Sequence, residues 1–237
     1  MSTYVMSDIH GNYELYKKML EKIAFSDTDE LYILGDVIDR GSEPIKILQD
    51  MMNRANVIPL AGNHEIMFLE NLKFLMKEIT EETIAEIDDE TIEKLVNWQE
   101  NGGDTTIAEF SKLSEEAKQE LIDYIYDFDM YEEFEVGERS FILIHAGFRN
   151  FASDRPIWDY EAHELVWERP DYSKPYFLDK YVIAGHTPTM LIDDAKPGYI
   201  YHKNNHIDID CGVNFKGGRL GCLRLDDMQE FYVEQSE

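Results

Sequence analysis

The chain has 237 residues, 43% of them apolar, which is enough for one large domain with a substantial core. Its formal net charge is -27, from 49 acidic and 22 basic residues, and such a surface is a poor match for a nucleic-acid backbone, which rewards clustered Lys and Arg. No apolar run approaches the roughly 18 residues that a membrane span needs, so we expect neither a nucleic-acid nor a membrane partner.

The N-terminus leads almost directly into an apolar, extended segment, and no basic stretch followed by a long apolar run marks a secretory signal. The two cysteines, Cys211 and Cys222, are too few for a disulfide framework. Both observations favour a cytoplasmic protein with ordinary thiols.

The first third of the chain alternates short apolar runs with apolar residues at helical spacing. Strands are predicted at Thr3–Met6, Leu31–Leu34 and Val57–Leu60, and helices at Tyr13–Ile23 and Ile45–Met52. This rhythm is typical of parallel strands joined by crossover helices. In such sheets, ligands bind at the carboxyl ends of the strands.

Residues 66–127 differ in character, because they are acidic, rich in Leu, Ile and Met, and nearly free of strand signals. Helices are predicted at Ile66–Lys77, Glu90–Glu100, Thr105–Phe110 and Glu115–Tyr126. We interpret this segment as a helical insertion, or cap, within a single domain that spans residues 1–237.

Strand signals return after Met130. Strands are predicted at Tyr131–Val136, Phe141–Ile144, Tyr181–Ala184, Ile207–Asp210, Leu220–Leu225 and Phe231–Glu234, and the last three are expected to be antiparallel. The predicted fold class is therefore α/β (α+β), with two stacked sheets flanked by helices.

Five short segments carry Asp, His or Asn at predicted strand ends, usually beside glycine. They are Asp8-Ile9-His10-Gly11-Asn12, Gly35-Asp36-Val37-Ile38-Asp39-Arg40-Gly41, Gly62-Asn63-His64-Glu65, His145-Ala146-Gly147 and Gly185-His186-Thr187. Each segment alone is weak evidence, but five in this order indicate a shared site.

The first two segments supply carboxylates. Asp8 and His10 lie two residues apart in extended chain, so both side chains point to the same side and suit a transition metal. Asp36 follows a buried strand, where a metal relieves the cost of an unpaired carboxylate, and one carboxylate can bridge two cations. Asp39 can orient another group, and Arg40 can form paired hydrogen bonds to phosphate oxygens. The alternatives are a helix N-cap at Asp8 and a surface Asp–Arg turn.

The remaining segments supply amide and imidazole groups. Asn63 offers a carbonyl oxygen as a metal ligand, or caps a helix. His64 would lie beside the metals and can act as a general acid. His145 and His186 each end an apolar strand next to glycine, although a single histidine in such a position is usually inert.

This mixed ligand set suits borderline divalent metals, with Mn first and Fe or Zn as alternatives, better than it suits Ca. Two such ions at about 3.5–4 Å can activate a shared water and stabilise in-line attack on phosphorus. The sequence therefore predicts a two-metal phosphate-ester hydrolase that needs no Ser or Cys nucleophile.

The ordered set DIHGN, GDVIDRG, GNHE, HAG and GHT resembles the phosphoprotein phosphatase family of calcineurin-like metallophosphoesterases, in its compact bacterial and bacteriophage form. The resemblance extends from Tyr4 to about Leu225 and implies a β-sandwich flanked by helices. It implies that one metal is held by Asp8, His10 and Asp36, and that the second is held by Asp36, Asn63, His145 and His186.

The resemblance also implies catalytic roles. His64 would protonate the leaving oxygen, with Asp39 orienting its ring, and Arg40 would bind phosphate. Val166-Trp167-Glu168-Arg169 resembles the segment in which compact members carry a second phosphate-binding arginine, so Arg169 is a further candidate. Asn101-Gly102-Gly103 resembles a loop of the phage-type enzymes, and the sequence predicts no role for it.

The favoured function is hydrolysis of phosphomonoesters in phosphoproteins, on phospho-Ser or phospho-Thr with phospho-Tyr as a further substrate, by direct attack of a metal-bound hydroxide. The alternative is a hydrolase of dinucleoside polyphosphates such as diadenosine tetraphosphate, since relatives use similar motifs. The intact Asp39-Arg40-Gly41 favours the protein-phosphatase form. A non-catalytic metal-stabilised binding module would be expected to lack His64 or a ligand, and neither is lost.

Overall fold

The computed structural model describes residues 1–76 and 88–235 of the chain. Its strands are β1 (Thr3–Met6), β2 (Glu30–Ile33), β3 (Val57–Pro59), β4 (Tyr131–Val136), β5 (Arg139–Ile144), β6 (Lys180–Ala184), β7 (Tyr201–Lys203), β8 (His206–Asp208), β9 (Arg219–Arg224) and β10 (Gln229–Glu234). Its helices are α1 (Tyr13–Lys22), α2 (Pro44–Met52), α3 (Asn63–Glu70), α4 (Leu72–Leu75), α5 (Asp89–Glu100), α6 (Asp104–Phe110), α7 (Glu115–Tyr126) and α8 (Ala162–Val166), with short 3-10 helices at Ile157–Asp159 and Thr189–Leu191.

The strands form two five-stranded mixed sheets. The first sheet has the order β10-β9-β1-β2-β3, in which β1, β2 and β3 are parallel and β9 pairs antiparallel with both β1 and β10. The second has the order β4-β5-β6-β8-β7, with β5, β6 and β8 parallel and antiparallel strands at both edges. The predicted fold, two sheets flanked by helices, is confirmed.

Strand residues alternate between two hydrophobic layers, because successive side chains point to opposite faces of a sheet. In β1, Val5 packs in the core between the sheets, whereas Met6 packs against the helices. In β5, Leu143 lies between the sheets and Ile144 packs on the outer face of the second sheet. Both faces are thus covered, which explains why these strands read as continuous apolar runs.

The strand prediction for Ile207–Asp210 is partly wrong. The observed β8 is antiparallel to β7, but it pairs in parallel with β6. This parallel pairing matters for function because it brings the end of β8 to the edge of the sheet where β5 and β6 also end. The sequence analysis missed β7, α8 and both 3-10 helices, which are too short to show a periodicity.

The predicted helix Ile66–Lys77 begins earlier, at Asn63, and is interrupted at Asn71. The Asn71 side-chain amide donates to the carbonyl of Met67 at 2.8 Å, and the backbone carbonyl of Asn71 accepts the N–H groups of Phe74 and Leu75 in the following turn. Lys77 lies outside the described residues. No helix in the described ranges combines the length and apolar character needed to cross a bilayer.

The helices of the insertion share one continuous core with the first sheet. The Phe68 ring contacts the rings of Trp98 and Phe110 edge to face, with centroids 5.9 and 5.2 Å away. All three side chains are at most 1% exposed. This contact joins α3, α5 and α6, and it places α5 and α6 against the loop that follows β2.

We expect Phe68→Ala to lower the free energy of unfolding by about 3–5 kcal/mol, because the truncation removes apolar contacts and leaves a cavity. Chemical denaturation of the variant and the wild type would measure the change. Ile92→Ala on α5, where the side chain is 47% exposed, is the control and should change stability by at most about 0.5 kcal/mol. A Phe68→Ala protein as stable as the wild type would contradict this packing.

Candidate active site

Loops from both sheets meet at the carboxyl ends of β1, β2, β3, β5 and β6. This meeting point brings together all six predicted metal ligands, namely Asp8, His10, Asp36, Asn63, His145 and His186. The first five are buried and His186 is partly exposed. The parallel strand pairs place these side chains together, as the sequence pattern predicts.

Asp36 lies at the centre of the cluster. Its Oδ2 atom is 3.7 Å from Nε2 of both His10 and His64, and its Oδ1 atom is 3.4 Å from Nε2 of His145. Two groups of candidate metal-binding side chains share this carboxylate, one with His10 and His64 and the other with His145 and His186. The first group includes His64, which the sequence analysis assigned to acid catalysis.

Two backbone carbonyls fix the orientation of two imidazole rings. The Nδ1–H of His10 donates to the carbonyl of Ile38 at 3.1 Å, and the Nδ1–H of His145 donates to the carbonyl of Leu34 at 2.6 Å. In the neutral rings, Nε2 therefore presents a lone pair to the centre. For His145, that lone pair faces Oδ1 of Asn63 at 3.0 Å. Acceptors that face one another in this way are the pattern that a cation satisfies.

The Arg40 guanidinium supplies positive charge to this centre in the structure. Its Nη1 atom is 2.6 Å from Nε2 of His10, and its Nη2 atom is 3.0 Å from Nε2 of His64. Burial lowers the pKa of both imidazoles, and the Arg40 charge lowers each of them further. Both rings are therefore kept in the neutral form that binds metals.

The buried carboxylates, unlike the imidazoles, need positive charge nearby in order to stay ionised. Burial raises the pKa of Asp36, and the nearby Asp8 and Glu65 carboxylates raise it further. Burial likewise raises the pKa of Asp210, and the neighbouring Asp8 carboxylate raises it further. So many buried acids in one place are stable as anions only next to positive charge. The donor set therefore fits divalent cations.

Asp39 and His64 form a hydrogen-bonded pair. The Nδ1–H of His64 donates to Oδ2 of Asp39 at 2.6 Å, and the indole N–H of Trp98 donates to the same oxygen at 2.7 Å. The Thr106 hydroxyl donates to Oδ1 and also accepts the Asp39 backbone N–H at 3.0 Å. Burial raises the pKa of Asp39 to about 7, while the bonds from Thr106 and Trp98 oppose that rise.

The Asn101-Gly102-Gly103 loop shapes the segment that carries Asp39 and Arg40. The carbonyl of Gly102 accepts the Arg40 backbone N–H at 2.9 Å, and the carbonyl of Asn101 accepts the Arg40 Nε–H at 3.3 Å. Gly103 packs so closely on Trp98 that a Cβ there would lie 2.7 Å from the indole. The sequence analysis found no role for this loop because its contacts are distant in sequence.

Backbone strain is concentrated in the same loops. Positive φ angles occur at Asp8 (51°), His10 (46°), Asp36 (52°), Asp39 (69°), Arg40 (66°) and His186 (66°). Such angles are unfavourable for residues other than glycine and persist only where surrounding contacts enforce them. The predicted site residues are therefore held in place by the fold at some cost in free energy.

Glu65 provides much of that enforcement. Its side chain is fully buried, and its carboxylate accepts the backbone N–H groups of Asp36 (2.8 Å), Val37 (2.9 Å), Ile38 (3.3 Å) and Gly62 (2.9 Å). Burial raises its pKa, whereas these hydrogen bonds lower it. Glu65 belongs to a quoted motif, but the sequence analysis assigned it no role.

Glycines beside the predicted ligands allow close contact between loops. A Cβ on Gly185 would lie 2.1 Å from Oδ2 of Asp8, and a Cβ on Gly62 would lie 2.3 Å from Oδ1 of Asp36. A side chain at either position would push a carboxylate out of the cluster. This explains why glycine recurs in the motifs.

The sequence analysis also missed two buried acids at the end of β8. Asp208 accepts the Tyr172 hydroxyl at 2.5 Å, and its Oδ1 accepts the backbone N–H of Asp210 at 3.1 Å. Asp210 in turn contacts Asp8. Two carboxylates at a strand end repeat the pattern of the other motifs, so that signal was available in the sequence.

The cluster opens into a cavity of about 500 Å³. Asp36, Asn63 and His186 line its inner end, and Arg40 and Arg169 line it as well. Arg169, predicted from the short match around Trp167, is exposed to solvent and has its side chain at this cavity.

Comparison with protein families gives a clear assignment. The family described as calcineurin-like phosphoesterase matches residues 1–209. The chain belongs to this family. Its membership confirms a metallophosphoesterase-type hydrolase, and the family uses divalent metals.

Curated relatives carry one common name, symmetrical bis(5'-nucleosyl)-tetraphosphatase. The protein from Erwinia tasmaniensis is 29% identical over 101 residues, which are 41% of this chain and 37% of the relative. The protein from Wigglesworthia glossinidia brevipalpis is 35% identical over 101 residues, which are again 41% of this chain and 37% of the relative. The matched segment thus spans well under half the length of these relatives.

Solved structures share the fold. The crystal structure of a candidate diadenosine tetraphosphatase aligns with a TM-score of 0.66 and 16% identity, over 99% of this chain and 94% of that chain. A protein serine/threonine phosphatase from Saccharomyces cerevisiae aligns with a TM-score of 0.64 and 13% identity, over 100% of this chain and 81% of that chain. At these identities, both likenesses show the fold alone.

The expectation of a phosphoprotein phosphatase is wrong. The curated relatives are named as tetraphosphatases of dinucleosides, and this supports the alternative interpretation instead. The physical reason is that the five motifs supply the candidate metal ligands and the candidate phosphate-binding arginine, which both reactions need. They do not describe the surface that holds the leaving group, so Asp39-Arg40-Gly41 cannot distinguish the two substrates.

We expect Glu65→Gln to lower the free energy of unfolding by about 2–4 kcal/mol, because an amide NH₂ replaces an acceptor and leaves buried N–H groups unpaired at about 1–3 kcal/mol each. The same change should weaken Mn²⁺ affinity about 10–100-fold, the usual scale for groups that orient ligands. Denaturation and metal titration measure these effects. Glu90→Gln on α5, where the side chain is 75% exposed, is the matched control. Unchanged stability in Glu65→Gln would contradict the role of Glu65.

Proposed function

We propose that this chain hydrolyses dinucleoside tetraphosphates between the two central phosphates, using two divalent metal ions, with Mn²⁺ as the first candidate. One observation carries the proposal. In a chain of net charge -27, the cavity at the cluster is lined by two arginines, Arg40 and Arg169, and by a single carboxylate, Asp36. The names of the curated relatives support the same substrate class.

The ligand set proposed for the metals is the one that the family resemblance implies, and its two halves share Asp36. Asp8, His10 and Asp36 would hold one ion. Asp36, Asn63, His145 and His186 would hold the other. When bound, these ions would lower the pKa of water and neutralise charge on the phosphate oxygens.

The arginines give the cavity its affinity for a polyphosphate chain. A tetraphosphate carries several negative charges along its length, and each guanidinium can pair with two phosphate oxygens. Arg40 and Arg169 would therefore hold the chain against the long-range repulsion of the surrounding acidic surface. Arg40 now contacts His10 and His64, so phosphate oxygens would compete with these imidazoles for it.

The reaction balances without a protein nucleophile. Water attacks one central phosphorus atom, and the bond from that atom to the oxygen bridging the two central phosphates breaks. Two nucleoside diphosphates and a proton result. The negative charge of a bound tetraphosphate would favour protonation of His64 at Nε2, because Asp39 holds the Nδ1–H. The imidazolium would then give that proton to the departing oxygen and regain one from solvent. A departing diphosphate is only weakly basic, with a second pKa of about 6 for phosphate monoesters as a guide, so protonation helps less than for an alkoxide.

The direct test is hydrolysis of diadenosine tetraphosphate by purified protein with Mn²⁺, beside a phosphopeptide panel. We expect ADP as the only nucleotide product in chromatography and a higher kcat/KM than for any phosphopeptide. Chelation by EDTA should abolish turnover, and added Mn²⁺ should restore it. Products of ATP and AMP would contradict central cleavage, no hydrolysis would contradict the substrate class, and full turnover after chelation would contradict the metal requirement.

We expect His64→Asn to reduce kcat for diadenosine tetraphosphate by about 10²-fold, the lower end of the usual range for general acid catalysis, because the diphosphate leaving group is weakly basic. Steady-state kinetics and metal analysis of the same preparation would separate acid catalysis from metal loss. His163→Asn, at an exposed position beside Glu161, is the control. A wild-type rate would exclude His64 as the acid, and loss of metal would assign His64 to the metal centre instead.

A further inference from the structure

The outer part of the cavity is apolar, although the inner part is charged. Trp167, Leu191 and Phe215 line it, and these side chains are 41%, 53% and 42% exposed. Large apolar side chains that stay exposed next to a charged site commonly mark a ligand surface. The phosphate-binding end and an apolar wall thus lie within one cavity.

The Phe215 ring is held by a tight turn. The backbone N–H of Phe215 donates to the carbonyl of Gly212 at 2.8 Å, and the N–H of Gly218 donates to the carbonyl of Phe215 at 2.9 Å. Gly212 has a φ of 69°, and a Cβ there would lie 3.4 Å from the Phe215 ring and 3.1 Å from Met190. The glycine therefore leaves room for the Phe215 ring beside the turn.

Leu191 extends the same wall from a different element. It ends the 3-10 helix that begins three residues after His186, so the apolar surface is attached to a predicted metal ligand by a short segment. Trp167 has a different setting, because its indole contacts the His186 ring edge to face at 6.0 Å. Changes at Trp167 would therefore disturb the predicted metal centre, so Phe215 and Leu191 are the positions suited to substitution.

We propose that Phe215, extended by Leu191, is the stacking platform for a nucleobase of the nucleotide whose phosphates lie against Arg40 and Arg169. This assignment deepens the proposed function and rests on it for the substrate. A nucleobase fits because it is flat, uncharged and joined to phosphate. Among the residues that line the cavity, the one carboxylate is Asp36 at the inner end, so nothing on the apolar wall repels a nucleotide.

The test compares the binding of ADP and of inorganic pyrophosphate to the Mn²⁺-loaded protein by calorimetry. Both probes carry a diphosphate, and only ADP carries a base. We expect the ratio of ADP affinity to pyrophosphate affinity to fall about 5- to 30-fold in Phe215→Ala, the lower part of the range for base–aromatic stacking because the ring stays partly exposed. Leu191→Ala should lower the ratio by about 2- to 5-fold.

Two further variants make the result specific. Phe215→Trp should keep the ratio at or above the wild-type value, because an indole also stacks on a base. Tyr126→Ala removes an aromatic ring that is 75% exposed and lies outside the residues lining the cavity, and it should leave the ratio unchanged. If Phe215→Ala fails to fold, Leu191→Ala and Phe215→Trp still decide the question.

The outcomes separate this inference from the proposed function. Equal affinities of wild-type protein for ADP and pyrophosphate, or an unchanged ratio in both alanine variants, would overturn the platform. A wild-type protein that prefers ADP through Phe215 but does not cleave diadenosine tetraphosphate would overturn the proposed substrate and leave the nucleobase platform standing. Cleavage of that substrate with an unaltered affinity ratio in Phe215→Ala and Leu191→Ala would support the proposed substrate and overturn the nucleobase platform.

Discussion

The buried carboxylate of Asp36 is the group on which the rest of the site depends. It lies where parallel strands end, and three imidazole Nε2 atoms approach it within 3.7 Å. Other buried acids surround it, so burial and repulsion both oppose its charge. The site therefore requires positive charge at its centre. In this structure the Arg40 guanidinium provides it, and the donor set suits divalent cations equally well.

The helical insertion has a direct part in this arrangement. Trp98 on α5 and Thr106 on α6 both donate to the Asp39 carboxylate, and Asp39 in turn holds the His64 ring. The same helices join the main core through Phe68. An element that looks like a generic acidic cap in sequence thus fixes the Asp39–His64 pair, because its buried donors supply two further hydrogen bonds to the Asp39 carboxylate.

The motif residues and the apolar wall occupy different parts of the cavity. The motif loops provide carboxylates, imidazoles and Arg40, which any phosphate-transfer reaction of this type can use. The apolar wall of Leu191 and Phe215 comes from segments outside those motifs. This division explains how motif analysis identified the reaction class and yet chose the wrong substrate. The contacts proposed for the leaving group come from surfaces that carry no recognisable short pattern.

The sequence by itself determined most of the strands and most of the residues that cluster at their ends, because apolar runs and glycine-flanked Asp, His and Asn are local features. The tertiary structure alone decided the partners of those residues. Glu65 binds four backbone N–H groups, Asp210 reaches Asp8, and Asn101-Gly102-Gly103 supports Arg40. These contacts join residues that lie far apart in the chain, so no local pattern records them, and only the packing of two sheets and a helical layer brings them together.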